Sequence, residues 1–328
     1  MTQTIRPGQA AALLCTAAAP TLLSGQSTLP GIACGTVGLL CTAGLLCLPP
    51  RKKSLPRFFR GLIAAVAALF FLWEAIRSAA ELGRFAAGTE QTPSTAPLIA
   101  AAVVIAAVWG AVQGVESLAR SAVLWAAAGL LLLIPVGAAL VPYVSIDALY
   151  AHIRTAEDPL WKSGLDFLAG FGGELALLGL LAASVPHLRP RHLLFFGGIA
   201  GGVALICTIL ATGMLGSWAA VRAEPLYTAA LSVPPDSAFR PDSLYTVVRI
   251  AAHYCRAALF LWGFGRCLRL LPQQGLRRFT ALAGTSAAVI AAIWLTLTPA
   301  MLTSLTGVFR VPGLLTGLGL LAGRRCAS

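Results

Sequence analysis

Apolar stretches of roughly 20 residues, the length a helix needs to cross the hydrocarbon core of a bilayer, recur along this chain between short charged connections. They lie near residues 8–24, 31–48, 58–80, 97–114, 119–141, 166–184, 193–218, 245–271, 279–300 and 311–323, about ten in all. The first, second and tenth are short for spans. The pattern predicts an all-α polytopic membrane protein. Residues 1–328 form one transmembrane domain, with pseudo-repeats at about 8–141 and 166–300 and a short closing span at 311–323. Two longer polar connections, 142–165 and 219–244, contain Pro, Asp, Ser and Tyr. They predict short amphipathic surface helices, one of them around Ala223 to Leu231, acting as lids or partner surfaces, with plain connectors as the alternative.

Composition agrees with the pattern, since 58% of the residues are hydrophobic and only 11% are charged. Arg6 before an apolar run imitates a secretory signal, but further spans follow at once, which favours an uncleaved first helix. With a cytoplasmic N-terminus, the inner loops carry Arg51, Lys52, Lys53, Arg57, Arg60, Arg120, Arg189, Arg191, Arg266, Arg269, Arg277, Arg278, Arg324 and Arg325. Most acids fall on the other side: Glu81, Glu90, Asp147, Glu157, Asp158, Asp166, Glu224, Asp236 and Asp242. This bias predicts both termini inside, and the net charge of +12 then reflects topology and contact with anionic lipid. The basic residues are scattered over several loops, so they do not read as a nucleic-acid patch. The eight cysteines form no Cys-x-x-Cys pair, and with four histidines there is no His-Glu-x-x-His or Gly-x-Ser-x-Gly arrangement. No metal site, cofactor or enzymatic activity is expected.

Candidate chemistry lies inside the spans. Gly172, Gly173 and Glu174 sit midway along the sixth span, where a bare carboxylate is expensive and marks a task. Two adjacent glycines weaken the helix by about 1 kcal/mol each, and irregular backbone at that depth must line a cavity or be buried in protein. The first span has a parallel feature at Ala19-Pro20-Thr21, where proline removes a hydrogen bond. Interrupted helices at the start of each group of five point to two inverted five-helix repeats, with a binding site between the broken first and sixth helices. A plain kink at Pro20 and close helix packing at the glycines is the structural alternative. Glu74, Arg77, Glu81 and Arg84 form one ladder on a helix face, and Arg256, too deep to snorkel, calls for a carboxylate partner, with Glu174 the candidate. His253 and Tyr254 interrupt the same apolar run. Glu116 at the turn between the fourth and fifth spans reads as a surface acid.

The run Phe171-Gly172-Gly173-Glu174-Leu175, the turn Gly114-Val115-Glu116-Ser117-Leu118-Ala119-Arg120 and the stretch Leu259-Phe260-Leu261-Trp262 after Arg256 together resemble a known family. It is the permease-like B subunit of bacterial spore nutrient-germinant receptors, within the amino acid, polyamine and organocation transporter superfamily. The resemblance covers roughly residues 60–300, with Phe-Gly-Gly-Glu its most specific part. Arg77 and Glu81 look like the family's Arg and Glu on the third helix, and Arg256 stands where a basic residue is common. The resemblance implies ten helices in two inverted repeats, unwound first and sixth helices around an amino-acid-type ligand, a spore inner membrane location and two receptor partners. Those partners are a larger membrane subunit and a lipoprotein subunit. The connection after Pro20 and the closing helix are both shorter than the family's, which argues against complete transport-type enclosure of a ligand, and the shortened first-helix region favours sensing over turnover.

On the sensing hypothesis, freed backbone around Ala19, Pro20 and Thr21 and around Phe171, Gly172 and Gly173 holds the ligand's ammonium and carboxylate. Glu174 sets the local charge or holds a cation, and Arg256 balances it, supported by Glu74, Arg77, Glu81 and Tyr254. Two other classes stand beside it: an autonomous amino acid transporter coupled to protons or sodium through Glu174, and a structural scaffold of a membrane complex.

Overall fold

The computed structural model describes residues 5–23, 28–45, 57–90, 93–154, 159–181, 190–234, 240–269, 274–306 and 308–309. Every regular element among them is helical. In chain order these are α1 (Pro7–Leu23), α2 (Leu29–Leu45), α3 (Arg57–Glu90), α4 (Ala96–Gln113), α5 (Val115–Leu140), α6 (Ile146–Arg154), α7 (Leu160–Gly170), α8 (Gly172–Leu181), α9 (Pro190–Leu215), α10 (Pro225–Leu231), α11 (Pro241–Leu268) and α12 (Gln274–Leu297). A further helix, α13, covers Pro299–Thr306. Four helices are individually long and apolar enough to cross a membrane, and the count reaches six when the bent pairs α7–α8 and α12–α13 are each taken as one span. The protein is an integral membrane protein.

Charge, not length, sets α11 apart from the most apolar helices. Its 28 residues include Asp242, Arg249, His253, Arg256 and Arg266, yet it packs against α1, α3, α4, α5, α8 and α10. A helix hydrophobic on all sides belongs against lipid or in a core, whereas α11 turns a polar stripe inward and must satisfy it there. The opposite case is α5, whose apolar surface, including Leu124, Leu131 and Ile134, is left largely exposed. Small residues let α2 lie close to α7. A side chain at Gly31 would run into Ser163, and one at Gly35 or Gly38 would meet Phe167 or Leu168.

Several boundaries differ from the sequence expectation for physical reasons. Helix α3 continues to Glu90, beyond the expected end of its span, and within it Arg77 pairs with Glu74 one turn before and Glu81 one turn after, which supports the helix past residue 80. The turn between α4 and α5 is made by Gly114 at φ 93, a conformation that strains any residue with a Cβ. Beside it Glu116 pairs with Arg120 at 2.6 Å on an exposed face. Both longer connections hold short helices, α6 and α10, the latter within the stretch expected around Ala223 to Leu231. The ninth apolar stretch is α12 up to Leu297, and the chain then bends by 112° into α13, where Pro299 cannot continue the ladder. Residues 311–323 lie outside the described residues.

The two expected breaks part company. Between α7 and α8 the chain bends by 47° at Phe171, one residue before the glycine pair. Helix α1, in contrast, runs unbroken through Pro20 to Leu23, which corrects the expectation of a broken first helix. Proline costs α1 only the bond from residue 20 to the Thr16 carbonyl, and this lies so near the helix end that the following carbonyls would lack helical partners anyway.

Candidate functional site

Four helices bring their polar side chains to one buried cluster. From α11, Arg256 donates from Nη2 to Glu74 Oε2 of α3 at 2.9 Å and from Nη1 to Thr21 Oγ1 of α1 at 2.7 Å. The same Nη2 lies 3.3 Å from Glu174 Oε1 in the first turn of α8. Glu74 is shared, because Arg77 Nη1 donates to its other oxygen at 3.2 Å while Arg77 Nε donates to Glu81 at 2.8 Å. The Arg256 guanidinium also sits 5.4 Å from the centre of the Phe260 ring. Glu74, Glu174 and Arg256 are all buried. Ions so far from water need this mutual pairing, since breaking a buried pair leaves an uncompensated charge. Three carboxylates face two guanidiniums, so the fully ionised cluster is one negative charge over. Neither carboxylate oxygen of Glu174 accepts a hydrogen bond, so its contact with the cluster is the ion pair alone.

Next to the cluster lies a cavity of about 950 Å³, walled by the ends of α1 and α7, the second half of α3, α10 with the residues before it, α11 and α13. Pro20, Thr21, Arg77, Glu81 and Gly170 border it, so the cluster forms its inner wall. A second, outer group stands there two turns along α11. Arg249 binds the Pro20 carbonyl and the Glu224 carboxylate, and Tyr245 donates to the Leu23 carbonyl at 2.9 Å. Thus the last carbonyls of α1, which a helix end leaves without partners, are capped by side chains of α11. Burial raises the Glu224 carboxyl above the ordinary carboxylate range, with Arg249 acting against that shift.

The sequence candidates divide between these surroundings. Pro20 and Thr21 border the cavity, whereas Ala19 faces an apolar groove of about 480 Å³ among α1, α5, α9 and α11. Phe171 is buried with its ring 5.0 Å from that of Phe167, and Gly172 and Gly173 are buried as well, so none of the three borders the cavity. Glycine at 173 serves close packing, for a Cβ there would come within 2.6 Å of the Phe260 ring. Tyr254 is not brought to the cluster. Its hydroxyl lies against Gly110 of α4. His253 is buried, with Nδ1 3.1 Å from Ser78 Oγ. Among the described residues no group of His, Cys, Asp and Glu is arranged to hold a metal ion.

No family model and no curated protein matches the chain. The site therefore rests on its own geometry.

Arg249, Tyr245 and Glu224 were not among the sequence candidates. A signal for the first two exists, because Asp242, Tyr245, Arg249, His253, Arg256 and Phe260 follow one another at spacings of three and four and so share a helix face. Glu224 carries no such signal, being joined to Arg249 only by the path of the chain before α10.

Proposed function

We propose that this chain is the permease-like subunit of a spore nutrient-germinant receptor. It binds a small nutrient of amino-acid type and passes the resulting change to partner subunits, a larger membrane subunit and a lipoprotein, to trigger germination. The observation that carries this reading is the polar cavity bounded by the end of α1, by α7 up to Gly170 and by the Arg77–Glu81 wall of the buried cluster. Its volume falls in the range of small-molecule sites. A ligand there touches Thr21, which is bonded to Arg256, and Arg77, which reaches Arg256 through Glu74, so occupancy is relayed to α11 and through Arg256 to Glu174 of α8.

An arrangement in two inverted five-helix repeats is supported by an exchange of packing partners. With α1 to α5 as one half, and α7–α8, α9, α11 and α12 as the other, α2 on α7 corresponds to α9 on α1, and α4 on α11 corresponds to α12 on α3. The pairs α3–α11, α2–α9 and α4–α12 each join an element to its own counterpart. Ligand sites of such folds lie between the halves, which is where the cavity is. The same reading puts the protein in the spore inner membrane with both termini cytoplasmic, consistent with the charge bias of the loops.

A second reading, autonomous transport coupled to protons or sodium, is favoured by one observation: a buried carboxylate, Glu174, that accepts no hydrogen bond. Ligand-induced thermal shift of the purified chain with a panel of amino acids and nucleosides tests the site. An amino acid should raise the melting temperature of the wild type and raise that of Gly88→Phe by less. Gly88 borders the cavity, and a Cβ there meets nothing within 4 Å, so a ring at this position narrows the cavity without a backbone clash. Equal stabilisation of Gly88→Phe and wild type, or no stabilisation by any member of the panel, overturns this site. Flux into proteoliposomes then separates transport from sensing, and unaltered ligand response in Glu174→Gln points to a scaffold role for that side chain.

A further inference from the structure

Four arginines border the cavity, and they are not equivalent. Arg77 is bonded to Glu74 and Glu81, and Arg249 to Glu224 and the Pro20 carbonyl. Arg84 and Arg222 are exposed in the same cavity, and among the described residues neither forms an ion pair. Arg84 stands two turns beyond Arg77 on the same face of α3, towards the mouth. Arg222 extends from the segment before α10, with its guanidinium 5.7 Å from the Trp218 ring centre. The cavity acids Glu81 and Glu224 already have arginine partners, and Asp166 has contacts of its own. Four arginines against three carboxylates leave the cavity lining with one positive charge over.

The usual alternative seat for an anion at a broken helix is the N-terminus of the second segment, where free amides and the helix dipole attract negative charge. Here the first turn of α8 already carries the Glu174 carboxylate, and Gly172 and Gly173 are buried away from the cavity. A ligand carboxylate there would meet like charge. We infer that Arg84 and Arg222 are the specificity-determining pair of the cavity, holding the ligand's carboxylate through their planar forks, so that carboxylate-bearing small molecules are the ligand class. This inference builds on the reading of the cavity as a ligand site. Neutral nucleosides and the amides of amino acids lack the group that the pair reads.

The test uses the full chain in nanodiscs, titrated with L-alanine, L-valine, L-alaninamide, L-valinamide and succinate, in neutral phosphatidylcholine and again with phosphatidylglycerol added. The amino acids should bind at least tenfold more tightly than their amides, and the double variant Arg84→Gln, Arg222→Gln should lose at least tenfold for the amino acids and for succinate. Both lipid compositions should give this result. Amides that bind as well as the acids overturn the inference while leaving the cavity as the ligand site. Succinate binding that depends on the two arginines, without any amino acid binding, supports the inference and removes the amino-acid reading. If the double variant changes only the response to phosphatidylglycerol, the pair holds lipid headgroups and the inference falls. No binding by any probe overturns both.

Discussion

Helix α1 and the α7–α8 pair each carry helix-breaking residues beside the buried charges, yet α1 runs on through Pro20 while the chain turns by 47° at Phe171. What differs is the replacement for the lost helical bonds. In α1 the proline removes one bond close to the end of the helix, and α11 supplies Arg249 and Tyr245 to the carbonyls of Pro20 and Leu23. Ala17 and Ala18, fully buried beside the proline, hold the last turn in place. At the bend, Gly170, Gly172 and Gly173 weaken the helix in succession, and Phe171 closes a tighter turn by donating to the Leu168 carbonyl at 3.0 Å. A new helix then starts, with Glu174 in the first turn where the dipole favours an acid. A helix breaks where neighbours gain from the break, and persists where they mend it.

The sharpest way to disturb this contrast is Gly173→Leu. The added side chain drives into Phe260, whose ring stacks 6.0 Å from Phe71 and lies under Arg256. Overpacking of a tight core commonly costs about 1–3 kcal/mol, and displacement of the arginine adds to it, so a loss of at least about 3 kcal/mol is expected. Size-exclusion profiles and thermal unfolding in detergent will read it. Adding Phe260→Ala should recover part of the loss, and no recovery would mean that the clash is not the cause. Arg256→Gln comes next. It leaves Glu74 and Glu174 buried without their shared cation, at a cost of about 3–5 kcal/mol. Arg256→Lys keeps the charge but not the fork and should fall in between. Equal stability of wild type and Arg256→Gln would remove the cluster from the account of the bend.

Arg249→Gln tests the other side of the comparison. It uncaps α1 and releases Glu224, and the expected loss is smaller, about 1–3 kcal/mol, because part of this group faces the cavity. Hydrogen exchange should quicken over residues 21–23 and 226–231 and stay unchanged over 171–178. Faster exchange at the bend as well would show that the two arginines of α11 act as one unit.

Much of this contrast was legible in the sequence, but unevenly. Apolar run length locates most of the helices, because lipid exposure demands it, and the depth of Arg256 pointed to Glu174 as its partner. Glu74 as the hydrogen-bonded partner was less accessible, since the ladder spacing pairs it with Arg77 and gives no sign of α11. The proline of α1 misled for a related reason: a local rule counts the lost bond, while the carbonyl caps come from residues more than 200 positions away. Which members of a glycine run face a cavity also depends on the neighbour across the interface, here Phe260, and local spacing does not carry that information.

Pro20→Ala carries the smallest expected effect and bears most directly on how the two helices differ. Alanine restores a donor toward the Thr16 carbonyl and leaves the residue 20 carbonyl in place for Arg249. If α1 is continuous throughout the working cycle, the variant should be as stable as the wild type or more so, by about 0.5–1.5 kcal/mol, the net value of one hydrogen bond. Ligand-dependent stabilisation should then be unchanged. A variant that is more stable but has lost its ligand response gives the proline a different role. The missing bond would be what lets the last turn of α1 let go of Arg249 when the cavity fills, and the unbroken helix would be the resting partner of a second, open form. The comparison would then be between one helix that is always bent and one that bends on demand.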